Sequence, residues 1–243
     1  MGRAAVEIAV QDAVGARVAL DAGADRLELC QALETGGLTP SLGILESVLA
    51  AVDPLLVNVL VRPRAGGFVY SAEETAVVEA DIRACVQRRA GGVVVGALTA
   101  DGLLDSDATR RWRDAAGTAT LVFHRAIDAS RDPRAVFDAL IEEGVDRVLT
   151  SGGAARSIDG IPMLSEFVAA SAGRIEVMAG GGVTARDIPA LFAAGVDAVH
   201  LSARERAGTH APSGPGGGAS GHDVTSAELV AEAVRQARAA TPR

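Results

Sequence analysis

The sequence predicts a single-domain TIM (β/α)8 barrel that runs through residues 1–243. Short runs of valine, isoleucine and leucine alternate with longer amphipathic segments, and eight such pairs fit into the 243 residues. A short motif at 22–26, 143–147 and 194–198 places a glycine where a helix ends and a strand begins. A doubly wound open sheet is the structural alternative, but such a sheet usually has fewer strands.

Each predicted strand is a short aliphatic run bounded by residues that are typical of turns. β-Branched and aliphatic side chains suit the buried strands of a parallel barrel. In chain order, we predict strands at AVEIAV (5–10), RLELC (26–30), LLVNVLVRP (55–63), GGVVVGA (91–97), TLVFHRA (120–126), DRVLTSG (146–152), RIEVMAG (174–180) and DAVHLSA (197–203).

Several of the intervening helices have recognisable starting points. Ser71 with Glu74, and Thr225 with Glu228, have the spacing of capping boxes. Asp132 stands directly before a proline, which is the pattern of an N-cap followed by the first helical residue. These signals agree with helices that follow the third, fifth and eighth strands.

One long segment, residues 204–223, has no strand or helix pattern and is rich in glycine, proline and serine. Its position after the eighth strand places it at the mouth of the predicted barrel. We expect a loop that is either a mobile lid or a disordered segment.

Composition excludes several classes of function. The net charge of −8 without a basic cluster argues against nucleic acid as a partner. The chain has no lysine, and arginine cannot form a Schiff base, so lysine-dependent aldolase chemistry is excluded. Apolar runs are too short to span a membrane, and the N-terminus does not resemble a signal peptide, so we expect a cytoplasmic protein. Two cysteines do not make a disulfide framework.

Alternation along the strands predicts which side chains point into the barrel. When the large aliphatic residues face the outer helices, polar residues face inward, and buried charges must be paired or solvated. Active sites of TIM barrels lie at the C-terminal mouth, where His124 ends its strand and Asp128 follows in the loop. The side chains predicted to face inward include Glu7, Glu28, Cys30, Asn58, Arg62, His124, Met178, Gly180, His200 and Ser202.

These residues predict a catalytic set of Glu7, Glu28, Arg62, His124 and Asp128. A glutamate would be the general base and His124 its acid partner, while Arg62 would hold an anionic substrate. The alternative is a structural ion-pair network in which Arg62 and Arg125 neutralise the two glutamates. Arg26 and Glu176 also point inward, but they lie early in their strands and are expected to be structural.

Glycine-rich sequences end the last three strands. In TIM barrels, backbone N–H groups near such ends commonly bind phosphate. We therefore predict a phosphate or sulfate site, with Thr184 capping the following helix. The alternative is that the glycines only make tight turns. The residues of this predicted site are Ser151, Gly152, Gly153, Gly180, Gly181, Gly182 and Ser202.

With these motifs in view, the chain resembles the CutC family of copper-homeostasis proteins. The resemblance is carried by segments along most of the chain, namely ADRLELCQALETGGLTPS (24–41), VRPRAGGFVYSAEE (61–74), GALTADGLLD (96–105), FHRAID (123–128), RVLTSGG (147–153), MAGGGV (178–183) and VHLSAR (199–204). It implies a TIM barrel, a cytoplasmic location, a homo-oligomer (dimer or tetramer) and a role in copper homeostasis and copper binding.

Copper(I) prefers cysteine, methionine and histidine ligands. Cys30, His124, Met178 and His200 all point inward, and they are the candidate copper ligands that follow from the resemblance. The other cysteine, Cys85, lies on an apolar helix face and is expected to be part of the core.

Three functions follow from these expectations. The first is a copper-binding or copper-handling protein. The second is an isomerase, epimerase or lyase that acts on a small phosphorylated or carboxylated metabolite. The third is a catalytically inactive barrel that serves as an interaction scaffold.

Overall fold

A computed structural model describes residues 4–208, 214 and 220–240 of the chain. Eight parallel strands form a closed barrel in the order β1 to β8, so that each strand pairs with its neighbours in the sequence and β8 pairs with β1. The predicted TIM barrel is confirmed, and the open-sheet alternative is wrong. The barrel strands are β1 (Ala5–Val10), β2 (Arg26–Leu29), β3 (Val57–Leu60), β4 (Gly92–Val95), β5 (Thr120–Phe123), β6 (Arg147–Thr150), β7 (Glu176–Gly180) and β8 (Ala198–Leu201).

The fifth strand ends earlier than the sequence predicts. β5 stops at Phe123, and a short 3₁₀ helix, Arg125–Ala129, begins directly afterwards. His124 lies at the N-cap of that helix, where its imidazole accepts a hydrogen bond from the backbone N–H of Ala126. The histidine therefore stands at the point where the strand changes into a helix, at the C-terminal end of the barrel.

Helices cover the outside of the barrel. Ser71 and Glu74 form the predicted capping box, and Asp132 caps its helix as expected. The expected box at Thr225 is wrong, because the last helix begins at Ala227 and Thr225 belongs to a strand. No helix in the described ranges combines the length and hydrophobicity needed to cross a bilayer. The helices are α1 (Ala13–Asp21), α2 (Leu42–Ala51), α3 (Ala72–Gln87), α4 (Ser106–Ala116), α5 (Pro133–Glu142), α6 (Ile161–Ser171), α7 (Ile188–Ala193) and α8 (Ala227–Ala240).

Strand alternation divides the apolar residues into two cores, of which the sequence predicts only the outer one. The larger core lies between strands and helices and includes Val6, Ile8 and Cys85. A small inner core fills the barrel itself, and the wide spacing of its members along the chain reflects one inward residue from each of several strands. The inner core consists of Cys30, Leu60, Val94, Val122, Leu149, Met178 and Ala198.

Segment 204–223 is more ordered at its ends than the sequence predicts. Strand β9 (Arg204–Ala207) pairs antiparallel with β10 (His222–Thr225), which makes a two-stranded ribbon beside the barrel mouth. Arg204 forms an ion pair with Asp223 across this ribbon at 2.5 Å. The expectation of a loop without regular structure is therefore corrected at both ends. Residues 209–213 and 215–219 lie outside the described residues. The predicted alternatives of a mobile lid and a disordered segment fall on these residues.

Candidate active site at the barrel mouth

A cavity of about 280 Å³ opens at the C-terminal end of the barrel. Its wall combines apolar side chains such as Leu60 and Phe68 with polar groups from several strand ends. Of the predicted site residues, it brings together Glu28, Arg62, His124, Gly181, Gly182, His200 and Ser202. The main inference from strand alternation, that an acid, a guanidinium and imidazoles share this end of the barrel, agrees with this placement.

Glu7 lies below the cavity as the centre of a buried polar network. One oxygen accepts hydrogen bonds from Arg26 Nε and Asn58 Nδ2, both at 2.9 Å, and the other lies 2.9 Å from His200 Nδ1. Burial alone would raise the pKa of Glu7, but His200, Arg26 and Arg147 lower it to about 2. The carboxylate is thus held ionised and fully hydrogen-bonded, so it positions other groups and is not free to accept a substrate proton.

The partners of Glu7 differ from those that the ion-pair alternative named. Arg26 and Arg147 reach it from the lower part of the barrel, and Arg147 also pairs with Glu176 at 2.8 Å. Arg62 and Arg125 instead make their bonds at the mouth. A structural ion-pair network does exist, but it is built from the residues expected to be structural, Arg26 and Glu176, together with Arg147.

His200 connects this network to the cavity. Its Nδ1 donates a hydrogen bond to the ionised carboxylate of Glu7. Its Nε2, on the other side of the ring, lies 4.0 Å from the nearer carboxyl oxygen of Glu28. Burial would lower the pKa of His200, but the charges of Glu28 and Glu7 raise it. For the carboxyl group of Glu28, burial has the opposite effect: it raises the pKa to about 7, although the charge of His200 opposes that shift. Glu28 therefore changes its protonation near neutral pH at the edge of the cavity.

Replacing Glu28 with glutamine should change how stability depends on pH. The folded state holds the Glu28 proton more tightly than the unfolded state, so this stabilisation is complete below about pH 4.5 and is lost as the pH rises through 7. We expect wild-type protein to lose about 3 kcal/mol relative to the variant across this window. Urea unfolding on both sides of the window measures it, with exposed Glu46→Gln as the control. Equal pH slopes for wild type and Glu28→Gln would contradict the raised pKa.

His124 faces the cavity as a neutral imidazole. Burial and the nearby charge of Arg62 lower its pKa to about 3. Its Nδ1 accepts from the N–H of Ala126 at 3.1 Å, so the proton of the neutral ring is on Nε2. A Cβ at Gly96 would lie 2.4 Å from the ring, so glycine is required there. Nε2 is buried and has no partner among the described residues.

Arg62 is fixed by backbone carbonyls more than the sequence predicts. Its terminal nitrogens donate to the carbonyls of Gly37 at 3.1 Å and Gly66 at 2.8 Å, and its guanidinium lies 5.2 Å from the centre of the Phe68 ring. No carboxylate of the described residues lies within 4.0 Å of it, and its buried Nε has no partner there. Arg62 thus lines the cavity with its positive charge, and the prediction that it holds an anion stays a prediction.

Asp128 does not reach the cavity; it fills the glycine-rich turn after β6. Its carboxylate accepts from the hydroxyl of Thr150 at 2.6 Å, the N–H of Ser151 at 3.0 Å and the N–H of Gly153 at 3.2 Å. Arg125 Nε donates to it at 2.8 Å. The expected phosphate site at 151–153 is therefore corrected: Asp128 already accepts from the N–H groups of Ser151 and Gly153, and Thr150 Oγ1 accepts from that of Gly152. Asp128 is an anchor of the turn.

The turn after β7 differs in its details from the expectation. Gly181 has φ +120°, and a Cβ there would lie 2.8 Å from the Arg125 guanidinium, so this glycine lets the arginine pack closely. Gly180 makes room for Leu149 inside the barrel. Thr184 is not the helix cap; α7 begins at Ile188, and Thr184 donates to the carboxylate of Asp187. Gly181, Gly182 and Val183 of this turn line the cavity, whereas Gly180 does not.

The predicted copper ligands are not brought together as a set. Met178 Sδ accepts from Arg26 at 3.2 Å, and Cys30 lies in the inner core with the carbonyl of Val10 at 3.9 Å from its sulfur. Burial and the charge of Glu28 raise the pKa of the Cys30 thiol. Among the described residues, the group of acidic, histidine and cysteine ligand atoms that lie within 4.8 Å of one another is formed by Glu7, Glu28 and His200.

Sequence reasoning missed several residues that shape this site. Strand alternation also points Arg147 inward, but only the register of β6 against β7 shows that it reaches Glu7. Phe68 and Arg204 lie outside the barrel strands, where alternation carries no information. Phe68 packs against His124 with ring centres 4.9 Å apart, a contact that no spacing in the sequence indicated.

Comparisons with known proteins agree with this geometry. Residues 4–205 match the model of the CutC family. A Xanthomonas campestris protein named as a family protein CutC is 42% identical over 210 residues, which cover 85% of this chain and 87% of that protein. A human protein named copper homeostasis protein cutC homolog is 40% identical over 200 residues, which cover 82% of this chain and 73% of that protein.

Solved structures show the same fold. A crystal structure of a CutC protein from Streptococcus agalactiae has a TM-score of 0.73 and 31% identity, covering 81% of this chain and 97% of that one. Thiamine phosphate pyrophosphorylase from Pyrococcus furiosus has a TM-score of 0.62 at 12% identity, covering 99% of this chain and 98% of that one, a likeness of fold alone.

Proposed function

This chain belongs to the CutC family, and we propose that it takes part in copper homeostasis by binding a small anionic molecule in the cavity at the barrel mouth. The role in copper homeostasis is the one that the human relative's name gives to that protein. The anionic ligand rests on one observation of this chain: the wall of the cavity carries more positive than negative side chains.

The charges on the cavity wall favour an anion. Arg62, Arg125 and Arg204 line it, and Glu28 is its one carboxylate among the described residues. Arg125 and Arg204 have carboxylate partners outside the wall, whereas Arg62 has none within 4.0 Å in the described ranges. A charge that is buried and unpaired costs several kcal/mol unless a ligand or water compensates it. An anion next to Arg62 would supply that compensation.

Unpartnered polar atoms also support a ligand at this place. The atoms are Arg62 Nε, His124 Nε2 and Glu28 Oε2, all buried and all without a hydrogen-bond partner among the described residues. Buried polar atoms in folded proteins are nearly always hydrogen-bonded. A small molecule with oxygen atoms could satisfy the two nitrogens, and a hydroxyl group could satisfy the glutamate.

A copper ion fits these residues poorly. Cys30 belongs to no group of three acidic, histidine or cysteine ligand atoms in the described part of the chain, and Met178 Sδ already contacts the guanidinium of Arg26. Within the Glu7, Glu28 and His200 group, Glu7 is hydrogen-bonded to His200 itself and to Arg26. Displacing those bonds, next to several guanidinium groups, opposes a cation. The part in copper homeostasis is therefore proposed without a copper ion at this site.

Thermal unfolding with small anions tests the proposed ligand. Inorganic phosphate, pyruvate and dihydroxyacetone phosphate are the probes, and a ligand at 100 times its Kd stabilises the folded state by about 2.7 kcal/mol. We expect at least one probe to raise the Tm, and Arg62→Gln to weaken the effect at least tenfold. Arg64→Gln is the matched control, because Arg64 lies outside the cavity. If no probe raises the Tm, or if a probe raises the Tm of Arg62→Gln as much as that of wild type, the proposed anionic site is wrong.

Titration with Cu⁺ against a chromophoric chelator completes this test. We expect no stoichiometric site that depends on Cys30. Tight binding that Cys30→Ser abolishes and Cys85→Ser retains would instead establish the soft-ligand site that the family resemblance implies. Both cysteines are buried free thiols, so they make a matched pair.

A second candidate function is an isomerase, epimerase or lyase that acts on the bound anion. The observation in its favour is that Glu28, at the edge of the cavity, has its pKa raised to about 7 by burial. General acids and bases work best when their pKa lies near the working pH.

A cytoplasmic location and a homo-oligomer, dimer or tetramer, remain proposals from the family resemblance. The two buried thiols, which form no disulfide, suit a reducing compartment.

A further inference from the structure

We propose that the cavity transfers a proton within a small carbonyl compound that carries a carboxylate or phosphate group. Glu28 takes a proton from the carbon next to the carbonyl, while His124 Nε2–H and Arg62 Nε–H hold the carbonyl oxygen. This inference rests on the anionic-ligand site proposed above, and it assigns the reaction and the role of each group.

The two nitrogens are donors by elimination. His124 Nδ1 accepts from a backbone N–H, so the neutral ring carries its proton on Nε2. The carbonyls of Thr35, Gly37 and Gly66 accept from three of the five N–H groups of Arg62, and Nε–H is the one whose nitrogen is buried without a partner. Both atoms are buried and lack partners in the described part of the chain. Preorganised donors of this kind stabilise an oxygen on which negative charge develops.

A base is available on the same cavity wall. Glu28 Oε2 is buried without a partner among the described residues, and the other oxygen lies 4.0 Å from His200 Nε2. His200 is oriented by its bond to Glu7, so the carboxyl of Glu28 has a fixed neighbour on one side and the cavity on the other. Glu7 and His200 are positioning residues in this arrangement.

The proposed step balances without another reactant. The C–H bond breaks, its proton moves to Glu28, and its electron pair forms a carbon–carbon double bond as charge moves onto the oxygen. Return of the proton from Glu28 to the same carbon restores the carboxylate and gives the starting compound or its epimer. Where that carbon carries a hydroxyl, return to the former carbonyl carbon, with the hydroxyl proton passing to the other oxygen, gives the isomer. The absence of lysine excludes a Schiff base as the electron acceptor, which leaves the hydrogen-bonded oxygen for that role.

The cavity suits a small substrate. Its volume of about 280 Å³ is near the lower end of the range for small-molecule sites. Leu60, Phe68 and Leu149 line it beside the polar groups, and such apolar walls limit the water that would compete for the donors.

Hydrogen–deuterium exchange tests the proposal. Pyruvate and dihydroxyacetone phosphate are incubated in D2O with protein and EDTA, and ¹H NMR follows the loss of the protons next to the carbonyl. We expect exchange above the protein-free rate for at least one probe. Glu28→Gln should lower it at least 100-fold while the Tm shift by the same probe remains. His124→Ala should lower exchange, and His124→Gln, which keeps an N–H, should restore part of it.

Three outcomes decide between the proposals. Exposed Glu232→Gln is the control and should exchange like wild type. Probe binding without exchange, or equal exchange in Glu28→Gln and wild type, would overturn the proton-transfer proposal and leave the anionic site intact. Neither binding nor exchange would remove both.

Discussion

Replacing Glu7 with glutamine is expected to lower the free energy of unfolding by about 3–5 kcal/mol, the cost of breaking a buried ion pair. The side chain is fully buried, and its carboxylate faces Arg26, Arg147 and His200 at once. Glutamine keeps the size but removes the charge, so buried guanidinium groups lose their compensation. Urea denaturation of the two proteins measures the difference.

A double variant separates loss of charge from loss of shape. Combining Glu7→Gln with Arg26→Gln should cost less than the sum of the two single changes, because the second change removes a charge that the first one left unpaired. Glu232→Gln, whose ion pair is exposed, should leave stability unchanged. Additive effects, or a Glu7→Gln variant as stable as wild type, would refute the network's role.

Replacing Asp128 with alanine is expected to cost about 3–4 kcal/mol, since several donors in the turn after β6 lose their acceptor together. Thr150, Ser151, Gly153 and Arg125 all donate to this carboxylate. The variant should also gain a property that wild type lacks. Formate or acetate should bind in the emptied turn and raise the Tm of Asp128→Ala alone.

Asp138→Ala is the matched control for that experiment. Asp138 lies on α5 in a half-exposed ion pair with Arg134, so its loss should change neither stability nor the response to formate. A formate response in both variants would indicate a general salt effect. No response in Asp128→Ala, together with a small loss of stability, would show that the turn does not depend on an anion.

Strand alternation predicted most of what the barrel holds. Leu27 and Leu29 face the helices while Glu28 faces inward, and the same rule places His124 and His200 correctly. The rule works because successive side chains of a strand point to opposite faces whatever the tertiary context. Fold class and the strand-borne residues of the mouth can therefore be predicted from the sequence, whereas Phe68 and Arg204 cannot.

The sequence does not predict which partners the inward-facing side chains bind, because long side chains reach beyond their own layer of the barrel. Arg62 turns to the carbonyls of loops after β2 and β3, and Arg26 reaches across the barrel to Glu176. Asp128 lies where the strand has already ended, so alternation could not indicate that it fills the next turn. These choices depend on strand register and loop shape, which a single sequence does not encode in its spacing.

The β9–β10 ribbon has a use outside the native chemistry. The N–H of Ser226 donates to the carbonyl of Ala203 at 2.9 Å, so the polypeptide leaves the barrel and returns to it at adjacent points. Arg204, the first residue of the outgoing arm, also lines the cavity. A reporter dye attached at the exposed Glu205 would therefore lie next to a residue of the cavity wall and would leave the eight barrel strands uninterrupted.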